Sequence, residues 1–191
     1  MEELKQRIRE EGIVIDSNIL KVDRFLNHQI DPGLMKKIGE RFAHTFADTG
    51  VSKVLTIESS GIAPALMTGL ALNVPVLFAR KKKPSTLNED SLVTNIQSYT
   101  KSTNNLVYLE KIMLSADDRI LIVDDFLANG EASLGLTRLV EMAGATVAGV
   151  CIVIEKSFQL GRSRLDHAGY PVYSLARISS LANNKITFLD D

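Results

Sequence analysis

The chain has 191 residues, of which 45% are hydrophobic and 24% are charged, and its formal net charge is −1. This length fits one domain, and the composition is ordinary for a globular protein, so neither disorder nor a membrane protein is indicated. The near-zero charge argues against a broad basic surface for nucleic acid. An anionic ligand would therefore have to be held by local charges and backbone donors.

The amino terminus is strongly charged and lacks an apolar core, so we expect no secretory signal there. The apolar run at residues 144–154 is about half of the ~20 residues that a membrane-spanning helix needs. Cys151 is the single cysteine and lies in an apolar run, where we expect a buried thiol and not a nucleophile. These features predict a cytoplasmic protein with no membrane and no nucleic-acid partner.

The first third of the chain predicts two helices and a strand. Apolar and charged residues up to Gly12 predict a short amphipathic helix, and residues 13–15 predict a short strand. A second helix is predicted from Asp31 to near Gly50, because the apolar residues between them recur at helical spacing.

A strand, helix and strand follow in order. Residues 53–57 and 74–79 predict two strands that enclose a helix at residues 62–73, which is a βαβ unit with a right-handed crossover. From 81 to about 118 the pattern weakens into alternating segments, which predict a long flexible excursion that contains a β-hairpin. A segment of that length inside a compact domain is usually a lid or a binding loop.

Regular structure then returns. Residues 120–123 predict a strand, residues 131–143 a helix that ends at Gly144, and residues 146–154 another strand. Alternation of strands and helices predicts an α/β protein with a parallel sheet. Residues 161–164 predict a surface loop before a further helix.

An acidic pair, Asp124 and Asp125, directly follows the apolar strand at 120–123, and a short loop then leads into a helix. In open α/β sheets ligands bind beyond the carboxyl ends of the strands, and a helix N-terminus favours a phosphate. The arrangement suits a molecule with hydroxyls and a phosphate. From the residues alone, a solvated acidic pair that caps the next helix is an equally good explanation.

Two other segments carry candidate phosphate-binding residues. The turn at residues 58–61 has small side chains that let phosphate oxygens approach the main chain, although a serine before a helix is more often an N-cap. The basic run at residues 80–83 opens the flexible excursion, and a cation brought in by a lid would stabilise a departing anion. Such a run is usually only a solvated face.

The segment 120–132 resembles the 5-phosphoribosyl 1-diphosphate (PRPP) signature of the type I phosphoribosyltransferases, which has four apolar positions, two acids and a loop that ends in a small residue and glycine. Residues 54–61, 80–83 and 153–158, together with Leu20 and Asn27, resemble the bacterial xanthine branch of that family. The resemblance implies an α/β type I phosphoribosyltransferase fold, with a mainly parallel twisted sheet flanked by helices and a small hood subdomain. It implies a single domain, residues 1–191, whose hood is formed by about 1–30 with the C-terminal region, and a flexible loop at about 81–118.

The resemblance also implies roles for site residues. Asp124 and Asp125 would hold the ribose hydroxyls of PRPP and share its Mg²⁺, and the loop after residue 57 would contain a strained peptide bond, for which cis and trans both stay open. The residues implied to bind PRPP are Ala128, Asn129, Gly130, Glu131, Ala132, Ser59, Ser60, Gly61, Arg80, Lys81 and Tyr99. Asn129 and Ala132 stand where the family commonly has threonine, and Ala128 stands where the hypoxanthine-guanine members carry an acid.

For the base, the resemblance implies that Lys156 donates to the 6-oxo group of xanthine, that Phe158 stacks on the ring, and that Leu20 and Asn27 close the pocket. An ammonium cannot accept a proton, so this lysine favours 6-oxopurines. From the residues alone, Lys156 is as well explained as an exposed lysine or one paired with a neighbouring acid.

The implied activity is transfer of phosphoribosyl from PRPP to N9 of xanthine by a homodimer. Transfer to guanine or hypoxanthine, or a regulator that senses PRPP without turnover, are the alternatives. A purine repressor of this fold would carry an added DNA-binding module, for which the chain has too little sequence before Ile13.

Overall fold

The computed structural model of the protein describes residues 1–83, 90–97 and 104–189. Five α-helices are present in this part of the chain: α1 Glu2–Glu11, α2 Pro32–Phe46, α3 Ile62–Leu72, α4 Glu131–Met142 and α5 Gly161–His167. The strands there are β1 Ile13–Asp16, β2 Ile19–Lys21, β3 Lys53–Ile57, β4 Val76–Ala79, β5 Leu92–Gln97, β6 Asn104–Leu109, β7 Arg119–Leu127, β8 Thr146–Lys156, β9 Val172–Ser180 and β10 Thr187–Phe188.

The main sheet has six strands in the order β10-β9-β8-β7-β3-β4. All neighbours are parallel except β10, which is antiparallel to β9. This confirms the predicted α/β fold with a mainly parallel sheet. Because β7 lies between β3 and β8, the carboxyl ends of these three strands meet at one edge of the sheet.

Strand β7 shows how the sheet is covered on both faces. Leu121 and Val123 pack in one hydrophobic core with α2, whereas Ile120 and Ile122 pack in a second core with α4. Successive side chains of a strand point to opposite faces, so an uninterrupted apolar run is what a sheet buried on both faces requires. The central strands are thereby held rigidly, and the edge at which they end is a firm support for a site.

The sequence predicted the end of β7 incorrectly. It placed the strand at residues 120–123 with the acids beyond it, but the strand continues to Leu127 and the acids lie inside it. The reason is the neighbouring strand, because Asp124 pairs with Ile152 and Phe126 with Ile154 in parallel register. The sheet partner therefore extends a strand that the apolar pattern ends early.

The prediction of a loop at residues 161–164 was also wrong, since α5 begins at Gly161. Leu165 in this helix is completely buried, so tertiary packing stabilises a segment whose own sequence gives little helical signal. The sequence also gave no indication of β2, of β9 and β10, or of the π-helical turn Asp23–Asn27.

The two ends of the chain lie against each other. The terminal ammonium of Met1 donates to the carbonyl oxygen of Leu175 at 2.5 Å, and β1 and β2 form a separate antiparallel pair. The hood and domain boundaries stay predictions. The predicted hairpin is present as the antiparallel pair β5 and β6, while 84–89 and 98–103 of the predicted flexible loop lie outside the described residues.

In the described ranges, no helix is both long enough and apolar enough to cross a membrane.

Candidate active site

A cavity of about 530 Å³ opens at the carboxyl edge of β3 and β7. Its walls contain most of the residues that the sequence predicted for PRPP binding, together with five apolar or buried residues and Glu58. The lining residues are Ile57, Glu58, Ser59, Ser60, Gly61, Lys81, Ile96, Val107, Asp124, Asp125, Phe126, Ala128, Asn129, Gly130, Glu131, Ala132 and Ser133. The structure thus brings two loops about 70 residues apart in sequence to a common space.

Some predicted site residues do not line this cavity in the described part of the chain. Arg80 lies beside it, and Leu20, Asn27, Lys156 and Phe158 belong to a neighbouring region. Tyr99 falls outside the described residues.

The acid pair is an electrostatically unfavourable arrangement in the free protein. Asp124 is only 4% exposed. Its pKa is raised well above the usual range, mainly by burial and secondly by the negative charge of Asp125. The charge of Lys81 acts in the opposite direction. Each carboxylate accepts the backbone N–H of the next residue at 2.9 Å, which fixes both side chains at the cavity wall. Hydroxyl donors or a cation bound here would relieve the repulsion between the two acids.

The donor set of this pair fits Mg²⁺ in part. Carboxylate oxygens are the hard ligands that this ion prefers, and it commonly binds through one or two carboxylates and substrate oxygens. Among residues 1–83, 90–97 and 104–189, no group of three or more histidine, cysteine or acidic side chains could hold a metal ion. Oxygens from a substrate and water would have to complete the coordination of an ion at Asp124 and Asp125.

The turn after β3 presses directly against the acid pair. A Cβ at Gly61 would lie 2.3 Å from Oγ1 of Thr56 and 2.9 Å from Oδ1 of Asp124, so only glycine fits there. The Glu58–Ser59 peptide bond is cis, a point that the sequence left open. No side chain of the described residues caps α3, and the alternative role of the serines as N-caps is not seen.

The loop after β7 leads into α4 through a left-handed glycine. Gly130 has φ +81°, and a Cβ there would lie 3.1 Å from Cα of Gly161. Since α4 begins at Glu131, the backbone N–H groups of its first turn have no partner within the helix. These donors border the cavity, where they can bind an anion.

Arg164 supports this loop from outside the cavity, and the sequence did not identify it. Its Nη1 donates to the carbonyl oxygen of Asn129 at 2.7 Å and to Oε1 of Glu131 at 2.5 Å. The N–H of Gly161 donates to the carbonyl oxygen of Ala128 at 2.9 Å. Because these partners are more than 30 residues apart in sequence, no local pattern could have revealed the contact.

Glu58 organises the start of the basic run. Its Oε1 accepts the backbone N–H of Lys81 at 2.6 Å, and its Oε2 lies 3.5 Å from Nε of Arg80. The guanidinium of Arg80 is 5.9 Å from the ring centroid of Phe78. Arg80 is therefore held beside the cavity while Lys81 lines it.

Two of the base-binding candidates, Asn27 and Lys156, lie close to the carboxyl end of β7. Nδ2 of Asn27 donates to Oδ2 of Asp125 at 3.2 Å, and Nζ of Lys156 lies 5.5 Å from the ring centroid of Phe126, which lines the cavity. Leu20 is buried, whereas Phe158 is 38% exposed. The structure thus brings Asn27 and Lys156 to neighbouring residues of β7, Asp125 and Phe126, and the stacking role of Phe158 stays a prediction.

The hairpin tip between β1 and β2 holds Lys156. Nζ donates to the carbonyl oxygen of Asn18 at 2.5 Å, and Oδ1 of Asp16 accepts the N–H groups of Asn18 and Ile19 at 2.7 and 2.9 Å. Burial lowers the pKa of Lys156, and the charge of Asp16 opposes that shift. Lys156 is half-buried, and its neighbour Glu155 pairs with Arg162 and Arg177 instead of with it.

Glu155 anchors the end of β8 from the other face of the sheet. This fully buried carboxylate accepts from Arg162, Ser157 and Ser174 at 2.5 to 3.1 Å. Burial alone would raise the pKa of Glu155, but these hydrogen bonds outweigh it and hold the pKa below its usual value. The network fixes the backbone from which Lys156 projects.

Comparison with known proteins agrees with this geometry. A family model described as a phosphoribosyl transferase domain matches residues 22–179. The chain belongs to the phosphoribosyltransferase family. A protein of Pseudomonas entomophila named xanthine phosphoribosyltransferase is 58% identical over 190 residues, which is 100% of both chains. A protein of Listeria innocua with the same name is 56% identical over 191 residues, again 100% of both.

Solved structures of other members share the fold. The adenine phosphoribosyltransferase of Rhodothermus marinus superposes with a TM-score of 0.76, at 24% identity and over 93% of this chain and 100% of that one. The Saccharomyces cerevisiae enzyme of that name gives 0.72, at 22% identity and over 91% and 99% of the two chains. This likeness concerns the phosphoribosyltransferase fold and not the base.

Proposed function

We propose that this phosphoribosyltransferase transfers the 5-phosphoribosyl group of PRPP to N9 of xanthine, which gives xanthosine 5′-monophosphate and diphosphate. The observation that carries the proposal is one cavity that joins an acid pair to two anion-binding loops, with Lys156 and Asn27 beside it. Relatives named xanthine phosphoribosyltransferase that match over the full length support the choice of base.

PRPP would span the cavity from one loop to the other. Asp124 and Asp125 accept hydrogen bonds from the ribose 2- and 3-hydroxyls, and the N–H groups of residues 128–132 bind the 5-phosphate. The turn with Ser59, Ser60 and Gly61 binds the diphosphate. The raised pKa of Asp124 supports this assignment, because hydroxyl donors would stabilise a carboxylate that the free protein leaves crowded.

Mg²⁺ would enter with PRPP and be shared by Asp124, Asp125 and substrate oxygens. When bound, it neutralises charge on the diphosphate and makes that group easier to displace.

The protein contributes mainly position and charge. Transfer of this kind passes through a ribose with cationic character, so the acid pair on the ring stabilises the positive charge that develops there. Lys81 faces the cavity and is the cation best placed to stabilise the leaving diphosphate. Arg80 is paired with Glu58, and we assign it to positioning the start of the loop.

The base would be chosen by side chains beside the ribose site. The ammonium of Lys156 donates to the 6-oxo group, and it can only repel the amino group of adenine. Asn27 reads the 2-position with an amide that can donate and accept. Leu20 and Phe158 supply apolar contact with the ring.

We further propose that the enzyme is a homodimer. Leu66 and Leu70 lie one turn apart on α3 and are 53% and 73% exposed, and Phe78 on the edge strand β4 is also exposed. Apolar surface of this kind is typical of a contact between subunits. Light scattering coupled to size-exclusion chromatography would give twice the mass of the 21.0 kDa chain, whereas a monomer mass would refute the proposal.

The base assignment is tested by one assay. The protein, Mg²⁺ and PRPP are mixed separately with xanthine, guanine, hypoxanthine, adenine and uracil, and diphosphate release is followed. We expect the highest kcat/KM with xanthine and no turnover with adenine or uracil. Higher kcat/KM with guanine or hypoxanthine would replace xanthine as the substrate, and PRPP binding without release for any base would indicate a sensor.

A further inference from the structure

An acidic side chain lines the loop that we assign to the 5-phosphate. Glu131 is the first residue of α4, its side chain is only 16% exposed, and it borders the cavity together with the backbone donors of residues 128–132. A carboxylate at this depth would repel a phosphate. The loop can serve as an anion site only if that charge is neutralised.

Arg164 supplies the neutralising charge. Its Nη1 lies 2.5 Å from Oε1 of Glu131, and the ion pair is shielded, with side-chain exposures of 37% and 16%. The same nitrogen also donates a hydrogen bond to the carbonyl oxygen of Asn129 at 2.7 Å. One guanidinium thus engages both negatively polarised groups of the loop.

The second contact matters for the direction of the loop backbone. A carbonyl that points to Arg164 cannot point into the cavity, where it would face the phosphate oxygens. The N–H of Gly161 holds the carbonyl of Ala128 in the same way, at 2.9 Å, and Gly130 packs against Gly161. The start of α5 therefore pins two loop carbonyls, while the N–H groups of the first turn of α4 border the cavity.

We propose that Arg164 is a positioning residue for the phosphate end of the substrate: it neutralises Glu131 and holds the carbonyl of Asn129 away from the anion. The proposal deepens the proposed function and rests on its assignment of residues 128–132 to the 5-phosphate. Arg164 touches no substrate atom in this scheme and acts only through the loop.

The first test is Arg164→Gln. We expect the KM for PRPP to rise about 10- to 50-fold, because a charge-assisted contact is lost and Glu131 is left uncompensated, while the KM for xanthine changes about 2-fold or less. Arg9→Gln is the matched control, since Arg9 forms an exposed ion pair with Glu2 on α1. An unchanged KM for PRPP in Arg164→Gln would overturn the proposal.

A second variant separates charge neutralisation from mere support of the fold. Glu131→Gln removes the carboxylate that Arg164 neutralises, so adding it to Arg164→Gln should recover at least about half of the lost PRPP affinity on a logarithmic scale. Arg164→Lys, which keeps the charge, should be affected less than Arg164→Gln. The electrostatic role is refuted if the double variant binds PRPP no better than Arg164→Gln. It is also refuted if Arg164→Gln, Arg164→Lys and the double variant all lose the same PRPP affinity.

Direct binding by calorimetry locates the effect. Ribose 5-phosphate carries only the phosphate that the loop would hold, whereas inorganic diphosphate would bind near Ser59 and Lys81. Arg164→Gln should weaken ribose 5-phosphate about 10-fold or more and leave diphosphate within about 2-fold. Equal weakening of both ligands would contradict the proposal.

The outcomes distinguish this inference from the function itself. If the protein turns over xanthine but Arg164→Gln leaves its affinity for ribose 5-phosphate unchanged, the proposed function stands and the role of Arg164 is refuted. If the protein turns over no base but Arg164→Gln weakens its binding of ribose 5-phosphate, the role of Arg164 stands and the proposed function is refuted.

Discussion

The proposed phosphate side, inside the cavity, and the proposed base side, outside its lining, are built from different parts of the chain. On the phosphate side, two short continuous segments, 59–61 and 128–132, present mainly backbone, and two glycines allow close packing. On the base side, Nζ of Lys156 contacts the backbone carbonyl oxygen of Asn18 and the side-chain amide of Asn27 contacts Asp125, pairs that lie 138 and 98 positions apart in sequence. The first side can bind a feature common to every phosphoribosyl donor, whereas the second can change its preference by single substitutions.

Asp125 connects the two sides. It lines the cavity where we propose that the ribose binds, and it also accepts a hydrogen bond from Asn27, 98 positions away. A bound sugar and a bound base would therefore share this carboxylate through their respective partners. We expect substitutions at the junction to impair both substrates, and substitutions on one side to impair one.

The largest effect is expected at this junction. Asp125→Asn removes a charge that stabilises the cationic ribose, so kcat/KM for PRPP should fall about 10²- to 10³-fold, and the KM for xanthine should rise as well. Steady-state kinetics with both substrates varied would measure this. Asp117→Asn, at an exposed position near the other end of β7, is the control and should stay at the wild-type rate. Wild-type kinetics for Asp125→Asn would remove the acid pair from the mechanism.

A one-sided effect is expected for Lys156→Gln. The 6-oxo group would lose a charged donor, which is equivalent to a fall in kcat/KM for xanthine of about 10- to 100-fold. PRPP binding should be unchanged because the phosphate side is intact. Calorimetric titration with PRPP and steady-state assays with xanthine would separate the two, with the exposed Lys36→Gln as control. A comparable loss of PRPP affinity would show that the two sides are not independent.

Asp118 tests stability apart from either side. It lies at the opposite edge of the sheet and pairs with Lys53 at 2.7 Å, and although burial opposes ionisation, hydrogen bonds from Lys53, Ser115 and Ser52 lower its pKa to about 2. Because the pKa is lower in the folded state, the stabilisation is complete above about pH 4 and disappears as the pH falls to about 2.

Asp118→Asn should therefore lower the free energy of unfolding at pH 7 by about 2 kcal/mol, with a difference from wild type that shrinks in acid. Urea unfolding at several pH values would measure this. The kcat and both KM values of the folded variant should be those of the wild type. A changed KM for either substrate would mean that the far edge of the sheet communicates with the cavity.

The smallest effect is expected for Asp16→Asn. The asparagine oxygen can still accept from Asn18 and Ile19, so the hairpin tip is kept and only the charge near Lys156 is removed. Protonated Lys156 donates a charge-assisted hydrogen bond to the base and the neutral amine only a weaker one, so activity should fall as pH rises through its pKa. Since Asp16 opposes the lowering of that pKa by burial, its removal should move the alkaline limb of kcat/KM for xanthine to lower pH.

The pH profiles of the wild type and of Asp16→Asn are compared with xanthine as the base in both. Any titration of xanthine itself is then the same in the two profiles and does not contribute to their difference. In a Lys156→Gln background, the Asp16→Asn substitution should leave the alkaline limb where it is. An alkaline limb that shifts equally in both backgrounds would assign the titration to another group.

The difference between the two sides also explains what sequence reasoning could find. The acids and the loop at 128–132 were predicted because an apolar run, two acids and a glycine are adjacent in the chain, and 11 of the 17 predicted residues line the cavity. Asn27 and Lys156 were predicted only through the family resemblance, since no spacing rule joins them. Arg164 was missed because its segment was interpreted as a surface loop.

The sequence by itself determined the order of the central elements that border the cavity, from β3 to β4 and from β7 to β8, because apolar periodicity and glycine positions are local properties of the chain. It also predicted which loops bind phosphate, since a backbone site needs only small residues at the junction of a strand and a helix. Only the tertiary structure decided how far β7 extends, which cation faces the cavity and which arginine neutralises Glu131. Those features depend on contacts between residues far apart in the chain, whose geometry is set by packing of the whole sheet.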